Sequence, residues 1–190
     1  MPAPQAEFTS LAESTSADWA IVSAAWVPWL EDMPKRVLSH LRLLAEDHGG
    51  FPVSRLEHCL QTATRAYQAA FGEDYVVSAL LHDIGDTLAP VRHAELAAVI
   101  LEPYVDPACH WMVAHHGVFQ LYYHGRHAGL DPDAREQFRG HPCFEMTANF
   151  CERFDQASFD RSFQTMPLEA FVPILGRVLS VERLAQRATA

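Results

Sequence analysis

The run Ala79-Leu80-Leu81-His82-Asp83-Ile84-Gly85-Asp86 constrains this chain more than any other stretch. An apolar helical segment ends in a His-Asp pair, and Gly85 then breaks the helix that carries it. Adjacent side chains on a helix diverge by about 100°. His82 and Asp83 can therefore serve one metal site only if that site sits near the end of the helix. Neutral imidazole and carboxylate suit iron, manganese or zinc. The dipeptide is common by chance, so its meaning turns on whether the chain supplies further ligands.

Composition narrows the class. The 190 residues are 49% hydrophobic, which suits one globular domain with a substantial core. Acidic residues outnumber basic ones 24 to 14, and Lys35 is the only lysine. Without a basic stripe, neither nucleic acid nor an anionic membrane is an expected partner. The apolar segment Trp19 to Leu30 is too short to span a bilayer, is broken by Pro28, and follows no basic residue as a signal peptide would. Cys59, Cys109, Cys143 and Cys151 show no Cys-x-x-Cys spacing and read as reduced thiols of a cytoplasmic protein. Eleven histidines are the anomaly to explain.

The pattern predicts an all-α fold: a loose N-terminal arm over residues 1–16, then a single domain over 17–190. Helical patterning begins near Ala17, pauses at Pro28 and resumes from Met33 to about Asp47. Gly49, Gly50 and Pro52 break it. Ser54-Arg55-Leu56-Glu57 is a capping-box sequence that starts a helix to about Phe71, with Gly72 just past its end. The helix bearing the His-Asp pair covers about 74–83, and another covers 91–101 after Pro90. Asp106-Pro107 opens a helix through His116. Asp131-Pro132 opens a short one ending at Gly140, and Pro142 opens one reaching about Phe154. Residues 166–188 close the chain, with Pro173 and Gly176 as expected kinks. No stretch alternates with period two.

Several of these helices carry candidate ligands. His58, Gln61, Thr62 and Arg65 share one helical face, opposite the packing residues Leu56, Leu60, Ala63 and Tyr67. Such a polar stripe can equally face solvent. His93 lies in the first turn of its helix, before Leu96, Ala97 and Ala98. His116 and Gln120 point one way if their helix persists past Gly117, and His115 then points another. Glu152 and Asp155 end a helix, where an acid is unfavourable for the dipole unless something positive meets it.

The order His58, His82-Asp83, His93, His116, Asp155 resembles the HD-domain superfamily of helical metalloproteins, over roughly Leu56 to Asp155. Six ligands resemble its dinuclear branch, in which the Asp of the pair bridges two metals. The resemblance implies a helical bundle around a dinuclear site. One metal is held by His58, His82, Asp83 and Asp155, the other by His93 and His116 with Asp83 shared. Leu56-Glu57-His58-Cys59-Leu60-Gln61-Thr62-Ala63 and Arg153-Phe154-Asp155 are similar to motifs of the mixed-valent di-iron oxygenases. That group includes myo-inositol oxygenase and the oxygenases that cleave the carbon–phosphorus bond of hydroxylated aminophosphonates. The resemblance implies two iron ions as Fe(II)/Fe(III), with O2 and a small hydroxylated molecule as substrates. A hydroxy-aminophosphonate or its N-methylated analogue is the candidate.

The chain also departs from those relatives. His48-Gly49-Gly50-Phe51 stands where the phosphonate-cleaving members carry a gating Tyr and Glu. A differently substituted amine, held by cation–π contact with Phe51 or Trp29, is the expectation. Asp86 stands where related oxygenases carry a Lys or His that contacts substrate, and Gln120 where a phosphonate-binding lysine is expected. Asp86 and Gln120 are thus the catalytic candidates, and Gln61, Thr62, Arg65 and Arg153 the substrate-binding ones. Arg92 and Arg139 are further cations for a dianionic phosphonate. The competing reading is a metal-dependent phosphohydrolase of the same superfamily, acting on a nucleotide or phosphate ester with manganese or another divalent metal. A metal-stabilised binding protein is the third.

Overall fold

The computed structural model describes residues 4–46 and 48–188. Met1 to Ala3 of the expected arm, and Asp47 at the expected end of the second helix, lie outside them. Among the described residues the regular structure is entirely helical. The helices are α1 (Ser16–Glu31), α2 (Met33–Arg42), α3 (Arg55–Gln68), α4 (Glu73–Leu81), α5 (His93–Leu101), α6 (Pro107–Ala128), α7 (Phe144–Phe150), α8 (Leu168–Val178) and α9 (Val181–Ala188). The all-α fold that the periodicity predicts is the fold observed.

Differences from the sequence expectation lie at helix ends. A complete capping box starts α1: Thr15 Oγ1 accepts from the Asp18 amide, and Asp18 accepts from the Thr15 amide. The expected box at α3 forms by half. Ser54 Oγ accepts from the Glu57 amide at 3.1 Å, but the Glu57 carboxylate is taken by the Thr165 hydroxyl at 2.6 Å. The residue that ends α3 with a left-handed backbone is Ala70, at φ 59°, not a glycine. Gly72 is extended and caps α4 instead. α1 runs through Pro28 without stopping, since its exposed surface lets water meet the carbonyl freed there. α6 continues twelve residues past His116 and stops only at the left-handed Gly129. Beyond Phe150 the helix widens into a π-turn over Cys151–Asp155, with the Gln156 amide donating to the Cys151 carbonyl. The last helical segment is divided between α8 and α9, and α8 contains both Pro173 and Gly176.

The core lies where α3 packs on α4, α4 on α6 and α8, and α5 and α7 on α6. Leu80, Leu81, Met112, Phe119, Phe150 and Leu175 are fully buried there, among the small residues Ala63, Ala79 and Ala97 that let helix axes approach. α9 closes the bundle through charge. Asp74, in the first turn of α4, accepts from Arg183 and Arg187 and from the Asp106 amide, and Arg187 also reaches the Tyr104 carbonyl and Asp106. Arg187→Ala therefore leaves three acceptors short of a donor. It is expected to lower stability by about 1–3 kcal/mol, read as a lower urea midpoint.

Candidate metal centre

Four imidazoles and two carboxylates from five elements meet in the interior. His82 and Asp83 follow the last turn of α4, where Asp83 leaves helical geometry and a 3-10 turn over Ile84–Thr87 takes over. His58 comes from α3, His93 from the start of α5, His116 from the middle of α6 and Asp155 from the π-turn. His82, His116 and Asp155 have no exposed surface, and His58 has 4%.

The two oxygens of Asp83 face different partners. Oδ2 lies 3.5 Å from His58 Nε2 and 3.4 Å from His82 Nε2. Oδ1 lies 3.2 Å from His116 Nε2 and 3.4 Å from His93 Nε2. Asp155 Oδ1 joins the first group, 3.2 Å from His58 Nε2 and 3.6 Å from His82 Nε2. Donors about 2.0–2.1 Å from a common ion stand about 3.0–3.4 Å apart in tetrahedral or octahedral arrangements. The observed separations, 3.2 to 3.6 Å, lie within that spacing or just above it in both groups.

The second ring nitrogen of each histidine is held by backbone. His82 Nδ1 donates to the Ala79 carbonyl at 2.9 Å, His116 Nδ1 to Val113 at 2.7 Å, His93 Nδ1 to Pro90 at 3.2 Å and His58 Nδ1 to Ser158 at 3.0 Å. A carbonyl can only accept, so each Nδ1 carries the hydrogen and each Nε2 turns its lone pair inward. That is the tautomer a metal requires, with the outer partner such ligands normally have.

Charge points the same way. Burial alone would raise the Asp83 and Asp155 carboxyls, but the surrounding imidazoles outweigh it and hold both well below the usual carboxylate range. Burial disfavours a charged His82, yet Asp83 and Asp155 outweigh that and push it up to about 9. Asp155 Oδ1 is buried with no hydrogen-bond donor, while Oδ2 accepts from Gln120 Nε2 at 2.6 Å. A fully buried carboxylate with an orphaned oxygen, a second carboxylate that is 14% exposed at the cavity, and four imidazoles aimed at them form a set that fits divalent cations. The trios His58–His82–Asp155, His82–Asp83–His116 and Asp83–Asp86–His93 each bring one ligand atom apiece within 4.8 Å of one another.

Gly85 lets the α4 turn approach α5. A Cβ there would fall 2.5 Å from the His93 carbonyl oxygen and 2.7 Å from its Cα. Beside it, Asp86 Oδ1 lies 3.3 Å from His93 Nδ1, and its other oxygen pairs with Arg55. Burial and the neighbouring Asp83 raise the Asp86 carboxyl despite His93 and Arg55.

A cavity of ≈750 Å³ opens above the cluster. His58, Asp83, Asp86, His93 and Gln120 form part of its wall, with Arg55, Phe51, Phe159, Tyr123 and His124 around them. Phe51 stacks on Phe159 at 5.4 Å, and Phe159 on His58 at 4.5 Å. Phe51 thus reaches the cavity, whereas Trp29 stacks on Trp26 in α1.

The four residues assigned to substrate by sequence lie outside this lining. Gln61 is buried and latches Asp160, donating to its carbonyl at 2.8 Å and accepting from its amide at 3.3 Å. Thr62 donates to the His58 carbonyl. Arg65 donates to the Ala157 carbonyl and covers the Phe163 ring. Arg153 is exposed over Phe154. Arg55 is the cavity arginine that sequence reasoning passed over. Its signal was its place three residues before His58 on the same helical face. Tyr123, His124 and His127 likewise continue the Gln120 face at helical spacing.

The family model described as HD domain matches residues 55–141. These residues form an HD domain. The match stops short of Asp155, which the π-turn nonetheless brings beside His58. No curated protein matches the chain. An HD domain with this donor set belongs to a metal-dependent enzyme. Among the described residues no helix is long and apolar enough to cross a membrane. The four cysteines are unpaired, and burial pushes the Cys59 and Cys151 thiols well up and that of Cys109 to about 12.

Two sets of variants probe the centre. His116→Ala should lower metal content from about two ions per chain to about one. His115→Ala should leave it unchanged, because His115 stacks on Trp111 at 3.9 Å, away from Asp83. Gly85→Ala should displace His93 and deplete the same ion. Elemental analysis of protein reconstituted under anaerobic conditions checks all three.

Proposed function

We propose that the chain is a di-iron oxygenase that uses O2 to cleave a small hydroxylated substrate oxidatively. The class we favour is a hydroxy-aminophosphonate or its N-methylated analogue, cut at the carbon–phosphorus bond. The observation that supports this best is the division of Asp83 between two imidazole groups, directly beneath a cavity with an aromatic wall. His58, His82, Asp83 and Asp155 would hold one ion, and His93 and His116 with Asp83 the other. Bound iron as Fe(II)/Fe(III) supplies Lewis acidity toward the substrate hydroxyl and a redox partner for O2.

The remaining work falls to the chain. Arg55 offers charge-assisted hydrogen bonds to the anionic end of the substrate, and its ion pair with Asp86 holds the guanidinium at the cavity wall. Phe51 and Phe159 present ring faces to an alkylated ammonium. Gln120 orients Asp155 through the 2.6 Å hydrogen bond. Phosphohydrolysis would use the same donors. The two readings differ in whether O2 is consumed.

The test is protein loaded anaerobically with Fe(II), partly oxidised, and examined by electron paramagnetic resonance and O2 uptake. A coupled Fe(II)/Fe(III) signal, with O2 consumed and phosphate released from a hydroxylated aminophosphonate, is the expected result. Arg55→Ala should then raise KM about tenfold or more without changing metal content. Hydrolysis of phosphate esters with manganese, and no O2 uptake, would move the protein to the phosphohydrolases.

A further inference from the structure

Three of the four histidines are aimed by their own turns, and the fourth is not. His82, His93 and His116 donate from Nδ1 to the carbonyl three residues earlier. His58 donates instead to the Ser158 carbonyl, 100 residues away in a segment outside the regular helices. The next residue, Phe159, lays its ring on His58 at 4.5 Å and 22°. The aim of His58 Nε2 at Asp83 and Asp155 therefore depends on what holds this segment in place.

Helix α3 itself supplies the hold. Gln61 lies one helical turn after His58 on the same face, is fully buried, and grips Asp160 by its backbone. Gln61 Nε2 donates to the Asp160 carbonyl at 2.8 Å and turns toward Glu57 Oε1 at 3.4 Å, while Oε1 accepts from the Asp160 amide at 3.3 Å. A carboxamide is the uncharged side chain that can donate and accept at once; a buried carboxylate there would set its lone pairs against the carbonyl. At its other end the segment begins at Asp155, a ligand for the same ion. The Ser158 amide donates to the Asp155 carbonyl at 3.0 Å, and Ser158 Oγ donates to the Phe154 carbonyl at 2.5 Å. Residues 155–160 thus run from one ligand to a latch beside the other. We propose that Gln61 is a positioning residue for the ion of His58 and Asp155: by fixing Asp160 it holds the Ser158 carbonyl and the Phe159 ring that aim His58.

A buried glutamine that only completes the packing satisfies its own amide and no more. Gln61 differs in where its bonds land, two residues from the carbonyl that orients His58 and one from the ring that covers it. Arg65, a turn further along the face, donates to the Ala157 carbonyl at 3.0 Å and steadies the near side of the same segment. Removing the outer partner of a metal-bound histidine lowers affinity by about 10–100-fold. Gln61 acts on that partner through one further link, so the low end of the range is expected. His93 and His116 take their outer partners from their own turns, and the ion between them has no such dependence on Gln61. The inference rests on the two-ion ligand assignment and holds for oxygenase and phosphohydrolase alike.

Fe(II) loaded anaerobically into the full chain, then measured by elemental analysis across a series of chelator concentrations, tests this. Gln61→Met keeps the side chain's length and removes its hydrogen bonds. One of about two ions should then be held about tenfold more weakly and the other as in the wild type, with far-UV circular dichroism unchanged. In a His116→Ala background, where the His58 ion is the one left, the same substitution should weaken that ion; in a His58→Ala background it should change nothing. A second measurement needs no variant. A latch that favours the ion must itself be favoured by the ion, so Fe(II) should slow hydrogen exchange at the Asp160 amide. Wild-type affinity for both ions in Gln61→Met overturns the proposal, even where stability falls, and so does equal weakening of both. Exchange at Asp160 that is indifferent to Fe(II) overturns it should Gln61→Met not fold. If His58→Ala alone still leaves about two ions bound, the ligand assignment fails and the proposal with it; if His58→Ala depletes an ion and Gln61→Met does not, the proposal alone fails.

Discussion

Asp155 is a carboxylate taken wholly out of water and Asp83 one largely so, and the interior of this protein is arranged to answer their charge. Removing a carboxylate from water is costly unless hydrogen bonds and opposite charge replace what is lost. Here the replacements are four imidazoles, the Gln120 amide and the Cys151 thiol, from α3, α5, α6, the turn that follows α4 and the π-turn. Imidazoles compensate a carboxylate fully only when positively charged, which is why Asp83 and Asp155 push His82 up to about 9. With each Nδ1 hydrogen on a backbone carbonyl, a metal cation can take the place of a proton on Nε2. The cluster therefore calls for positive charge, and its position where α3, α4 and α6 meet makes it part of the core.

The geometry rests on a repeated local device. In His82, His93 and His116 the ring nitrogen away from the centre donates to the carbonyl three residues earlier. A helix end or a 3-10 turn leaves such carbonyls without an amide partner. His82 and His93 sit at such ends, so the same breaks that terminate α4 and precede α5 also aim the ligands. The π-turn serves Asp155 in a related way. One extra residue in the turn changes which side chains face α3, as π-bulges at functional sites commonly do.

How much of this was legible in sequence follows from the range of the interactions. The helices and the six-residue order were readable because periodicity, capping residues and the His-Asp break are local. The extent of α6 was not, since Gly117 in mid-helix looks like a stop and is tolerated where nothing lies within 4 Å of a Cβ there. The π-turn leaves no local signature in Cys151 to Asp155. The Gln61, Thr62 and Arg65 stripe was recognised as one face, but which neighbour covered it was a long-range matter. It meets the segment around Ala157 and Asp160, about a hundred residues away, rather than the cavity. Arg55 was hidden by its role beside the α3 cap, where a charged residue needs no further explanation.

The contrast between centre and cavity wall separates what the fold fixes from what it leaves adjustable. Every histidine of the cluster is tied to a backbone carbonyl, and for His82, His93 and His116 that carbonyl lies three residues back, so their positions change only if a helix moves. The wall is built otherwise: Phe51 and Phe159 belong to segments outside the regular helices, and Tyr123, His124 and His127 to the far end of α6. Phe159 stacks on His58 at 4.5 Å, so an exchange there disturbs a ligand, whereas Phe51 stacks on Phe159 instead. Asp86 spans the two regions, with one oxygen near His93 and the other on Arg55. That pair holds the guanidinium of Arg55, the first residue of α3, at the cavity wall. The same turn that carries His82 and Asp83 thereby fixes where the arginine of the cavity wall lies.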